Sequence, residues 1–271
     1  TEGALALITA PMIDLGEPPT AHDDSVVAKQ QAMLTIDVLI NDTPMMNGLR
    51  IQSVSNALYG TTGIDQVDQT IVYESNSNFL GQDTFTYTIE DYHGRTDTAI
   101  VNVMVLPDAH LYVSQSPFGH GGNSGDIDTP LATIQTAINK ESSNQRIVVL
   151  PGTYLEDLTI NELNISLIGI LNSDDIPTTR IEGDINVNAD GFQLLDMEIK
   201  NGGLTFNEAE NAQIMGNHFV GSSFHNVKLI ASRNNLFERN QFVSATSSSV
   251  ILEGNQTSGS HDNKFIYNRF M

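Results

Sequence analysis

The chain contains no cysteine and no tryptophan, and its 12 basic residues stand against 33 acidic ones. Without cysteine there is no disulfide scaffold, no thiolate zinc site and no cysteine nucleophile. A formal charge of −21 excludes the phosphate backbone of nucleic acid as a main partner, because that binding draws on clustered Lys and Arg. No apolar run approaches the roughly 18 residues of a membrane-crossing helix, so no span is predicted. The missing tryptophan removes one flat platform for sugar rings, although Tyr or His can serve. What remains is a foldable balance, 39% hydrophobic and 17% charged over 271 residues, enough for two domains at about 150 residues each. The acidic, cysteine-free composition fits an exported bacterial protein, secreted or held at the cell surface. The opening TEGALALITAP has no basic stretch before its apolar residues and reads as the start of a mature chain.

Two regions follow different patterns. Residues 1–108 hold 3 basic and 15 acidic side chains, and residues 109–271 hold 9 and 18. Residues 1–18, ending near Gly16-Glu17-Pro18-Pro19, read as an extension or linker, and Leu106-Pro107-Asp108-Ala109 as the boundary between regions. Across 19–107, short alternating segments (MLTIDVLI, LRIQSVS, QTIVYES, DTFTYTIED, TAIVNVMVL) are separated by turn residues, which predicts an antiparallel β-sandwich. Phe85, Tyr87 and Ile89 fall on one face, to be met by Ala99, Val101, Val103 and Val105 across a hairpin turning at Asp91-Tyr92-His93-Gly94.

The ordered motifs PTAHDDSV, IDVLINDTP and IVYESNSNFLGQDTFTYTIEDYHGRTDTAIVNVMV resemble bacterial immunoglobulin-like, cadherin-like modules of secreted adhesins and surface enzymes. That resemblance implies a Ca²⁺ cofactor held by acidic residues at strand ends, here Asp23, Asp24, Asn41, Asp42, Asp91 and Asp97. The same side chains also suit turn capping, in which Asx oxygens accept nearby backbone N–H groups.

From Leu111 the pattern changes to a strand (LYVS), a loop with Gly119, Gly121, Gly122 and Gly125, and an amphipathic stretch over 130–140. In that stretch Leu131, Ile134 and Ile138 share a helical face behind Pro130. RIVVLPGTYLEDLTI follows as extended chain. Beyond it a repeat emerges. One column reads Ile214/Asn217/Phe219, Phe237/Asn240/Phe242 and Phe265/Asn268/Phe270, preceded by Ile165/Ile168/Ile170 and Leu194/Met197/Ile199. The other reads Leu158/Ile160, Ile185/Val187, Leu204/Phe206, Val227/Leu229 and Val250/Leu252. Two columns advancing together predict a solenoid of parallel strands with at least two faces, and Asn217, Asn240 and Asn268 as an inward ladder of amides.

YVSQSPFGHGGNSGDIDTPLATIQTAINK followed by RIVVLPGTYLEDLTI resembles the opening of right-handed parallel β-helix proteins of the pectate-lyase-like group. The fold class expected is therefore all-β: a sandwich over 19–107 and a right-handed parallel β-helix with a short cap helix over 110–271, with further coils expected after Met271. The resemblance implies action on polysaccharide, as in lyases that eliminate across uronate sugars. That chemistry needs a cation for the carboxylate and a base for the neighbouring proton. The candidate glycan contacts are His218, Lys228, Arg233, Arg239 and Arg269, expected on one outward face. No paired Asp or Lys-plus-Arg constellation identifies catalytic residues. The function expected is an extracellular or cell-surface protein that binds or degrades a polysaccharide or cell-surface glycan. The alternatives are a non-enzymatic adhesin or spacer and, less suited to an appended cadherin-like module, a trimeric host-recognition fibre.

Overall fold

A computed structural model describes residues 17–43, 48–77, 79–115, 122–140, 143–172, 174–243, 245, 248–254 and 258–271. Gly16, Gly119 and Gly121 lie outside them. The chain divides into two compact units, the first ending at Val105 and the second beginning at Leu106.

The first unit is a sandwich of a four-stranded sheet (Asp24–Lys29, Thr96–Leu106, Gly81–Glu90, Arg50–Val54) and a three-stranded sheet (Leu34–Ile36, Thr70–Ser75, Gly60–Asp65). Strict alternation drives it: Phe85, Tyr87 and Ile89 are buried, and Phe85 pairs Val101 while Tyr87 pairs Ala99 across the long antiparallel hairpin. Two strands lack the period-two alternation that the others show and were not read in advance, Asp24–Lys29 and Gly60–Asp65. The segment MLTIDVLI is a three-residue strand that passes into a 3₁₀ turn, Val38–Ile40, rather than one strand.

The second unit is a parallel β-helix with three sheets of five, six and seven strands. RIVVLPGTYLEDLTI is its first complete coil and turns two corners, so it supplies Arg146–Val149, Gly152–Tyr154 and Leu158–Ile160 to three different sheets. The column from Leu158 through Ile185, Leu204 and Val227 to Val250 is one register line of the five-stranded sheet. In the seven-stranded sheet Leu194 pairs with Leu167 rather than Ile165; residues 171–178, inserted between Ile170 and the next strand, Thr179–Glu182, break the spacing that aligns the later coils. Phe219, Phe242 and Phe270 stack on the six-stranded sheet with ring centroids 5.0 and 4.9 Å apart.

The helix spans Ile134–Lys140, shorter than expected, because its first turn is capped by Thr133, whose Oγ1 accepts the Thr136 N–H, rather than opened by Pro130. Glycine is required where the coil enters the five-stranded sheet: a Cβ on Gly202 would lie 1.9 Å from the Gly183 carbonyl oxygen, and one on Gly203 2.4 Å from that of His225.

Candidate functional site

Buried asparagines knit coil to coil. Asn217, wholly buried, accepts the Met197 N–H at 3.0 Å and donates through Nδ2 to the carbonyls of Leu194 and Met215. Asn240 Oδ1 accepts both the Asn217 N–H, at 2.9 Å, and its Nδ2, at 3.1 Å; Asn268 stands in the same relation to Asn240. Two further ladders went unread in the sequence. Asn235 and Asn263 repeat the geometry, as do the hydroxyls of Ser232 and Ser260. Their signal was available: Asn235 and Asn263 each stand two residues before a core Phe. Asn226 is wholly buried in no ladder, and neither end of its amide has a partner.

The five candidate glycan contacts do not share a face. His218 and Arg269 lie on the six-stranded sheet and Lys228 on the five-stranded sheet, while Arg233 and Arg239 sit at two different corners. The expected single face fails because each repeat turns around three sheets, so residues a few positions apart point in different directions. Three of the cations are held by carboxylates: Lys228 by Glu253 at 3.0 Å, Arg233 by Glu210 at 2.6 Å and Arg239 by Glu238 at 3.6 Å. His218 is flanked by Glu198 and Gln241 in register, with Arg269 one coil further. Burial holds its imidazole below the ordinary value, against the pull of Glu198, so it is neutral at neutral pH. Arg180, ahead in the same column, forks onto Glu198 at 2.8 and 3.3 Å.

In the first unit the structure brings together Asp23, Asp24, Asn41, Asp42 and Asp97 near the buried Tyr87 and leaves Asp91 apart. Asp23 Oδ1 accepts the Ile100 N–H, Asp97 Oδ2 that of Ala21, and Asp42 Oδ1 that of His22; the Tyr87 hydroxyl donates to Asp42. Asn41 donates to the carbonyls of His22 and Asp23. Asp91 caps its own hairpin, accepting the N–H groups of His93 and Arg95 and the Arg95 Nε at 2.7 Å, and these contacts hold its carboxyl below the usual range. Asp24 differs: its Oδ2 is buried without a partner, and desolvation, only partly offset by Tyr87 and Asn41 and reinforced by Asp42 and Asp23, pushes the group up to about 6. Among the described residues no three His, Asp or Glu side chains are grouped to hold a metal ion.

At the corner where the five-stranded sheet ends, an open groove of about 620 Å³ runs over Asn161, Asn188 and Asn207. These three form an exterior ladder: Asn188 donates to Asn161 Oδ1 at 2.8 Å, and Asn207 donates to Asn188 Oδ1 at 2.9 Å.

No curated protein matches the chain. Among solved structures it is similar to one titled rhamnogalacturonan lyase, at 14% identity over 59% of this chain and 49% of that one, with a TM-score of 0.30. The chain thus spans about half of that structure's length, and the likeness is too low to transfer an activity. Residues 16–104 match the family model of the bacterial Ig domain, so the first unit is immunoglobulin-like and is followed by a parallel β-helix.

Proposed function

We propose that the protein is an extracellular bacterial surface protein whose β-helix binds polysaccharide without cleaving it, with the immunoglobulin-like unit as spacer or anchor. One observation carries the choice of binding over lysis. Elimination across a uronate needs a cation and a base at one place, whereas Lys228, Arg233 and Arg239 lie on separate parts of the coil, each against a carboxylate. In the His218 column each cation stands two strands away, Arg180 forked onto Glu198 and Arg269 beyond Gln241. Binding asks only for a ruled surface of polar side chains, and parallel register supplies it. Among the described residues, no helix is long and apolar enough to cross a membrane. The test is retention on a panel of insoluble or immobilised polysaccharides, run alongside the absorbance of unsaturated uronate product. Retention without product is expected. Product formation would restore the lyase reading, and retention by none of the panel would leave the spacer reading.

Ca²⁺ binding is proposed at Asp24, with Asp42 and Asn41 beside it. The support is the unpartnered Asp24 Oδ2, since Asp23, Asp42, Asp91 and Asp97 already accept hydrogen bonds in the manner of turn caps. A Tm that rises with Ca²⁺ beyond the effect of Na⁺ at matched ionic strength supports it; identical melts in Ca²⁺ and chelator contradict it.

A further inference from the structure

The exterior asparagine ladder differs from the buried ones in what it satisfies. Asn217, Asn235 and Asn240 accept backbone N–H groups that would otherwise be stranded in the core. Among the described residues the side chains of Asn161, Asn188 and Asn207 bond only to one another, and Asn161 and Asn188 are exposed. No buried backbone group depends on them, and in water such amide pairs add little net stability. The ladder nevertheless fixes three amides in one orientation. Each amide has two N–H donors and an oxygen with two lone pairs, and the ladder engages only part of that capacity. At least one N–H and one lone pair on each remain for a ligand, repeated at the strand spacing of about 4.8 Å.

The groove around this ladder is ligand-sized, within the roughly 300–1,000 Å³ of small-molecule sites. Asp190 and Glu208 line it, and Asp190 is oriented by accepting the Glu210 N–H at 2.8 Å. Leu163 and Ile230 add apolar surface. Among the described residues that line it, none is Lys, Arg or His. Carboxylates accept hydrogen bonds from vicinal hydroxyls while the neighbouring amides both donate and accept, and the aliphatic side chains suit the C–H face of a pyranose. The same carboxylates repel uronates, sulfated sugars and phosphates.

We infer that the Asn161/Asn188/Asn207 groove binds a linear, neutral polysaccharide laid along the coil axis, its repeating hydroxyls matched to successive asparagines. The inference rests on the polysaccharide-binding reading above and names the class of glycan and the place. It also moves the contact away from Lys228 and Arg233, which charge arithmetic had favoured.

The test uses the full chain and affinity electrophoresis in gels containing neutral glucan, mannan or galactan, or the acidic alginate or pectate. Four proteins are compared: wild type, Asn188→Leu, Asn207→Ala and the double variant Lys228→Ala/Arg233→Ala, each checked for an unchanged far-ultraviolet spectrum and melt. The expected result is retardation of wild type by at least one neutral polymer, lost about tenfold or more in both asparagine variants and kept in the double variant. Retardation by acidic polymers alone, or by a neutral polymer indifferently to both asparagine changes, would overturn the groove while leaving polysaccharide binding in place. Retardation by none of the five would overturn both. If Asn188→Leu fails to fold, Asn207→Ala at the end of the ladder decides by the same readout.

Discussion

The two units solve one problem, buried backbone polarity, with different side chains. In the sandwich the buried acids are Asp42, Asp83 and Asp91; in the solenoid, among the described residues, no Asp or Glu is buried, and Asn217, Asn226, Asn235 and Asn240 are. The difference follows from topology. A sandwich loop gathers several N–H groups at one point, and a carboxylate, which only accepts, closes that point. Asp83 takes the N–H groups of Leu58, Tyr59 and Thr84 and the Tyr73 hydroxyl. A solenoid must hand the same bond from coil to coil, and only a group that donates and accepts can propagate it, which is what Asn217, Asn240 and Asn268 do.

Exchanging the two side chains breaks the comparison most severely. Asn240→Asp removes the donors to the Ile214 carbonyl and Asn268 Oδ1 and buries a charge opposite those oxygens, for an expected loss of about 3–5 kcal/mol in denaturant melts. The reverse change, Asp83→Asn, places an NH₂ among donors and should cost about 1–3 kcal/mol. Were both exchanges neutral, the assignment of acceptor and relay roles would fail.

Asp24 sharpens the comparison from the other side, as a partly buried carboxylate that closes nothing with Oδ2. With its ordinary value near 3.8 in the unfolded chain and about 6 in the folded one, the folded state keeps a proton that the unfolded state releases between those values. Stability therefore falls as pH rises through that window and stays lower above it. Asp24→Asn removes this loss: its Tm should exceed that of wild type at pH 7 in metal-free buffer, and the gap should close below about pH 4. A gap that widens on acidification would reverse the sign.

Asn226 is the smallest case. A buried amide with no partner is a liability, so Asn226→Leu, close in volume, is expected to leave stability unchanged or raise it by about 1 kcal/mol. A loss as large as that of a ladder asparagine would show that Asn226 has a partner after all.

These differences also mark what the sequence could show. Period-two segments and the five-fold column from Leu158 to Val250 were legible because every copy keeps an apolar pair in register, buried in the first four coils. The Asn217/Asn240/Asn268 ladder was legible through the Phe two residues on. The insertion at 171–178 hid the register of the earlier coil, and RIVVLPGTYLEDLTI concealed two corners because its strands are only three or four residues long. Charge could be counted but not located: Arg233 meets Glu210 only after the chain has wound through a full coil. The exterior ladder went unread for another reason: Asn161, Asn188 and Asn207 each stand three residues after Leu158, Ile185 and Leu204, but their column lapses to Ile230 and Glu253 in the next two coils.

The central claim is that buried asparagines hold the solenoid while exposed ones serve a ligand. Matched thermal melts of Asn240→Ala and Asn188→Ala test it most directly. The account predicts a loss of about 1–3 kcal/mol for Asn240→Ala and a melt within about 0.5 kcal/mol of wild type for Asn188→Ala. Equal losses would make the exterior ladder another structural brace and contradict the claim.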